Sequence, residues 1–224
     1  MPPSKRNTRS FHRSGKTLKA ETKTLIICED EKSCRQYIES AINHYRVTHK
    51  YETHHCGRTD ALGIVKFAVN NPSKLKLNRR RIKIDQLLCV IDEPSAVNRV
   101  NFDRAMELAK KKKIEMIVSY PCFEYWLLLH VKDTTMQFGA TPGKSPADAC
   151  ISELKQHSKF KNYDKSNVES YFVDLGESLL NQAIARSEKI LKDAMKIGSM
   201  HPSTAMHLLI NRFRADSIGP QSEQ

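Results

Sequence analysis

Two apolar runs in this chain stop on carboxylates. Thr24-Leu-Ile-Ile-Cys28 is followed by Glu29-Asp30-Glu31-Lys32, and Leu87-Leu-Cys-Val-Ile91 is followed by Asp92-Glu93. Both runs have the length and apolar content of buried strands. If they share one parallel sheet, their acids meet at its carboxyl edge, where open α/β sheets place their ligands. Carboxylates crowded there repel one another unless a cation joins them, and hard divalent ions such as Mg²⁺ take oxygen ligands of this kind. A single acidic strand end proves little, because Asp and Glu also suit the first turn of a following helix, whose dipole they complement. Two such ends in a chain otherwise rich in cations favour a metal site. A third carboxylate, Glu124, stands in Tyr120-Pro-Cys-Phe-Glu124-Tyr-Trp126-Leu-Leu-Leu129-His130, at the start of an apolar, aromatic helix. If the strand before that helix runs parallel to the other two, Glu124 begins at the same edge and can join the site. The cluster His54-His55-Cys56 lacks the paired spacing of a structural zinc site.

The elements that must position these acids follow from periodicity. A strand over about 23–28 is followed by a helix whose apolar residues Tyr37, Ile38, Ala41 and Ile42 share one face. A short strand over 49–55 precedes a helix capped by Asp60 and carrying Leu62, Ile64, Val65, Ala68 and Val69. Strand 86–91 leads to a helix from Asn101 that ends in Lys110 to Lys113, cations that suit the negative end of a helix dipole. Strand 114–118 comes next, and Pro121 is expected at the first position of the helix that follows. Alternating strands and helices predict a mainly parallel α/β sheet flanked by helices over residues 22–131. Residues 132–145 read as loop, 146–157 as helix, 158–170 as irregular, 176–196 as a long helix stopped by Gly198, and 203–213 as a last helix. Residues 132–215 are thus a helical extension packed on the core, with a polar tail over 216–224.

The 224-residue chain carries a net charge of +12 and a pI near 9.4, which points to a polyanionic partner, nucleic acid first. The cations cluster in a basic, aperiodic arm over residues 1–21 and in a loop bearing Arg79, Arg80, Arg81 and Lys83. With Lys32 and Arg58, these are the expected phosphate contacts. No apolar run approaches the roughly 20 residues of a membrane helix, and the arm lacks a secretory signal's apolar region. No membrane association and a cytoplasmic location are expected. The six scattered cysteines, without a CxxC pair, read as reduced thiols. The oligomeric state stays open, a homo-oligomer included.

Over nearly its whole length the chain resembles the RloB-like (AbiLii-like) family, phage-defence proteins built on a Toprim catalytic domain. The residues that carry the resemblance are Ile27 to Lys32, Gly57 to Ala68, Asn101-Phe-Asp-Arg-Ala-Met-Glu-Leu-Ala109, Pro121 to His130, and Pro202-Ser-Thr204-Ala-Met-His207-Leu-Leu-Ile210. The resemblance implies a Mg²⁺- or Mn²⁺-dependent nuclease cleaving DNA or RNA, with transfer RNA among the targets suggested by the wider group, acting with an ABC- or AAA-type ATPase. Glu29 matches the family's strand-end glutamate and Asp92 the first acid of an Asp-x-Asp pair. Catalytic work is then expected of Glu29, Asp92, Glu93 and Glu124, and cation binding of Glu29, Glu31, Asp92 and Glu93. The chain departs from the pattern at Asp30, where Gly is usual, and at Pro94, where the second Asp should fall. The alternative is a catalytically degenerate, nucleic-acid-binding scaffold in the same defence complex.

Overall fold

The computed structural model describes residues 22–70, 83–166 and 168–217, apart from the side chains of Thr22 and Lys83. The basic arm, Arg79, Arg80, Arg81, the Lys83 side chain and nearly all of the tail lie outside it. Four strands alternate with helices: β1 Thr22–Cys28, α1 Cys34–His44, β2 Tyr51–His55, α2 Ala61–Asn70, β3 Lys83–Asp92, α3 Arg99–Lys112, β4 Glu115–Tyr120 and α4 Glu124–Val131. The rest comprises α5 Pro146–Leu154, α6 Tyr171–Ile197, β5 Ser203–Thr204 and α7 Met206–Asp216. The sheet order is β2-β1-β3-β4-β5, with the first four strands parallel and β5 antiparallel. The expected α/β class and mainly parallel sheet are what the chain adopts.

Strand alternation divides the apolar residues between two cores. Ile26, Cys28, Leu88, Val90 and Ile117 face one side and pack with α1, α4, α6 and α7. Leu25, Ile27, Cys89, Ile91 and Val118 face the other and pack with α2 and α3. The sheet is therefore buried on both faces, which explains why β1 and β3 read as unbroken apolar runs.

Several boundaries differ from the expected ones. Pro121 does not open α4: it follows a cis peptide bond in a turn, and the helix starts at Glu124. That turn is closed by the Tyr125 N–H on the Cys122 carbonyl at 3.0 Å and by Trp126 on Phe123 at 2.9 Å. The long helix begins at Tyr171, before the expected 176, and Gly176 breaks it with φ +73°, a conformation other residues rarely adopt. Ser203 and Thr204 are not helical; they pair with Tyr120 and Ser119. The C-terminal extension thus supplies the fifth strand as well as helices. The expected tail also starts too early, because Asp216 closes α7 and accepts from Lys50 Nζ at 2.7 Å and Tyr51 Oη at 2.5 Å.

Candidate functional site

The chain leaves β1 toward β2 on one side and returns to β3 on the other, so β1 and β3 flank the point where the strand order reverses. Ligands of open α/β sheets bind at that crevice. Glu29 and Asp92 close the two strands there. Asp92 is the last residue of β3, and backbone pairing continues one residue past each strand: the Glu29 N–H donates to the Val90 carbonyl at 3.0 Å, and Glu93 N–H to that of Ser119 at 2.9 Å. Oε2 of Glu29 accepts from the backbone N–H of Asp92 at 3.0 Å, linking the two acidic ends.

Both carboxyls are held above their ordinary range. For Glu29, burial is the main cause, opposed by the Asp92 backbone bond and reinforced by the charges of Asp30 and Asp60. For Asp92, burial comes first, then repulsion from Glu124 and Glu29; Lys165 and a backbone bond from Phe123 offset part of it. Crowded, poorly hydrated carboxylates favour a proton or a metal ion.

Glu124 lies deepest, with its side chain 0% exposed. It opens α4 at the same edge, because β4 is parallel to β3. Oε1 accepts from Tyr163 Oη at 2.8 Å and faces Lys165 Nζ at 3.2 Å, while Oε2 is buried without a partner. Burial alone would push the Lys165 ammonium toward deprotonation, but Glu124, Asp92 and Asp30 outweigh it and raise its pKa. The Tyr163 phenol is raised by burial and then by Glu124.

Asp60 adds a fourth acid. Its Oδ1 caps α2 by accepting the Gly63 N–H at 2.7 Å, and a Cβ on Gly63 would lie 2.5 Å from Oδ2. A side chain at 63 would push that carboxylate away from its present position over the start of the helix. A cavity of about 200 Å³ is lined by Glu29, Asp60, Asp92, Glu93, Pro94, Ser95 and Asn98, among others.

The other expected site residues are placed differently. Asp30 shapes the entry to α1, accepting from the N–H of Lys32 at 2.8 Å and of Ser33 at 3.1 Å. Burial would raise its pKa, but these bonds and the Ser33 hydroxyl lower it. Glu31 is exposed and faces Arg35 at 3.8 Å, one turn along the helix. Glu93 Oε2 bonds His201 Nδ1 at 2.6 Å. Lys32 and Arg58 are exposed. The structure therefore gathers Glu29, Asp92 and Glu124, leaves Glu31 on the surface, and ties Glu93 to His201. Lys165, not Lys32, is the cation placed among the acids. Lys165, Tyr163 and His201 carried no signal in the sequence: they stand in stretches without periodicity, and only the tertiary fold brings them to the sheet edge.

The donor set fits a hard divalent ion in kind. It offers only oxygen at its core, holds two carboxyls with raised pKa, and leaves Oε2 of Glu124 without a partner. Among the described residues no three His, Cys, Asp or Glu side chains converge as a ready-made ion site. Glu29 is engaged by the Asp92 N–H and Glu124 by Tyr163 and Lys165, so side chains must turn for an ion to enter.

A family model described as RloB-like protein matches residues 24–213. No curated protein and no solved structure matches the chain.

Proposed function

The chain belongs to the RloB-like protein family, and from that premise we propose that it is a metal-dependent nuclease whose centre is the paired strand ends Glu29 and Asp92. The observation that carries this reading is the link between the two acids at the reversal of strand order, each pushed above its ordinary pKa. Glu29 and Asp92, with Glu124 behind them, would hold Mg²⁺ or Mn²⁺. When bound, such an ion supplies a Lewis acid for a phosphoryl oxygen and lowers the pKa of bound water. The chain's own part is electrostatic. Lys165, anchored on Glu124 with its side chain 46% exposed, presents a fixed positive charge where a phosphodiester must approach an acidic edge. Tyr163 donates to the same Glu124 oxygen and sets the direction of its carboxylate. Across the molecule, the charge of +12 favours a polyanion. By family resemblance, the substrate is DNA or RNA, the partner an ABC- or AAA-type ATPase, and the setting antiviral defence.

The test is to incubate purified protein, with and without its partner ATPase, with labelled DNA and RNA in Mg²⁺ or Mn²⁺. Cleavage is expected, lost with EDTA and reduced at least about 100-fold in Glu29→Ala and Asp92→Ala, as for removal of a main electrostatic contributor. Unchanged cleavage in those variants would refute the site. Pro94, which offers no side-chain ligand where the family carries an acid, favours a second reading as a degenerate scaffold. That reading expects salt-sensitive nucleic-acid binding and no turnover in any divalent ion.

A further inference from the structure

A second cavity, of about 870 Å³, shares the Glu93-Pro94-Ser95 turn with the acid-lined one. Its size falls in the range of small-molecule sites. Pro94, Pro121 and Phe138 give it apolar walls, Arg99 contributes a guanidinium, and Glu93, His201, Ser95 and Ser145 supply its other charged or polar side chains. His201 is fixed at both ring nitrogens: Nε2 accepts the Phe138 N–H at 3.2 Å, so the proton resides on Nδ1 and is donated to Oε2 of Glu93 at 2.6 Å. The hydrogen bonds of the described residues engage only Oε2 of Glu93, which leaves Oε1 able to accept from a ligand N–H.

We infer that this cavity receives one unstacked nucleobase next to the cleaved phosphodiester, and that Glu93 Oε1 selects bases bearing an amino group. The inference rests on the nuclease reading and extends it to a substrate class, single-stranded or locally unpaired nucleic acid. A base has two apolar faces and a hydrogen-bonding edge, which proline and phenylalanine walls around one carboxylate acceptor match. Glutamate accepts from the exocyclic amino group of cytosine and has nothing to accept from the corresponding carbonyl of uracil or thymine. Bases stacked in a duplex cannot enter such a pocket without being flipped out. Continuity through the Glu93-Pro94-Ser95 turn places the base beside the acidic edge, and Arg99, 55% exposed and paired only at 3.8 Å with the exposed Asp103, can turn to the connecting phosphate. In this setting Pro94 is a pocket wall, a use for the residue that departs from the family's acid.

The experiment uses the full chain in EDTA, so that cleavage plays no part. A single-stranded oligonucleotide with 5-iodocytosine at one position is photocrosslinked to the protein and the adduct mapped by mass spectrometry, with binding followed in parallel by fluorescence anisotropy. Adducts on the segment containing Phe138 are expected. Ala147→Trp, which places an indole in the cavity, should remove them and weaken binding about 10-fold, the loss of one stacked base. Glu93→Gln, which keeps the shape but can also donate, should abolish a several-fold preference for iodocytosine over iodouracil. Binding with adducts only outside the cavity, or Phe138 adducts that persist in Ala147→Trp, overturns the pocket. Equal crosslinking of the two bases by the unmodified protein overturns the role of Glu93. If no oligonucleotide binds at all, the nucleic-acid reading itself fails, a result distinct from a misplaced base.

Discussion

At the scale of single residues, the acidic edge is a set of charges that folding brings together at a cost. Glu124 is fully buried, and the ammonium of Lys165 at 3.2 Å is its one opposite charge among the described residues. Lys165→Met removes that charge and leaves the carboxylate buried. A loss of about 1–3 kcal/mol in urea unfolding is expected, smaller than for a fully buried pair because Lys165 is half exposed. Glu124→Gln in the same background should restore most of it, the signature of a direct interaction. Glu29 and Asp92 make stability depend on pH in the reverse of the usual carboxylate sense. Their folded pKa values are raised, so each begins to destabilise the fold as pH rises past its ordinary value of 4.5 or 3.8, and the effect is complete once pH exceeds the folded value. Below the ordinary values both states are protonated and the effect disappears. Asp92→Asn should therefore melt at a higher temperature than the unmodified protein at about pH 7.5, and that advantage should shrink on acidification toward about pH 4. An advantage that grows with acid would show that Asp92 is not crowded as described.

At the scale of elements, the site depends on how strands end and on what closes the sheet. β1 and β3 were legible because both faces of the sheet are covered, which forces unbroken apolar runs such as Leu25 to Cys28. The acids beyond them were legible for the same reason, as abrupt departures from that pattern. β5 was not legible: two residues carry no period, and Ser203-Thr204 continued the helical pattern of the segment behind it. Its identity comes from a buried polar contact, Ser119 Oγ to Thr204 Oγ1 at 2.8 Å, and from Ser187, whose hydroxyl bonds the Thr204 carbonyl at 2.8 Å and His207 Nδ1 at 2.7 Å. Thr204 and His207 thus join α6 and α7 to the sheet. Thr204→Val should cost about 1–2 kcal/mol, since the Ser119 hydroxyl loses its partner in the core. The denaturation curve should shift without a change of slope, because α6 and α7 share one apolar core with the sheet. The capping role of Asp60 was visible in the sequence, but its place among the acids was not, since that depends on α2 starting beside Glu29. Gly63→Ala drives a methyl against the Asp60 carboxylate, so a loss of divalent-ion affinity accompanied by a modest fall in stability is expected from isothermal titration and thermal melting.

At the scale of the whole molecule, a chain with net charge +12 brings Glu29, Asp92 and Glu124 to one edge of its sheet. On the proposed reading, that excess charge would draw in a polyanion, and the acids would admit its phosphate only with a bridging ion. Among the described residues no helix is long and apolar enough to cross a membrane. The observation that bears most directly on the nuclease assignment is a crystal of the protein soaked in Mn²⁺, with data collected at the manganese absorption edge. The expected result is an anomalous peak within coordinating distance of both Glu29 and Asp92, absent in Asp92→Ala, with the Lys165 ammonium displaced from or turned away from the ion. A peak located elsewhere, or Glu29 and Asp92 unchanged with no ion between them at millimolar Mn²⁺, would contradict a metal-dependent centre at the paired strand ends.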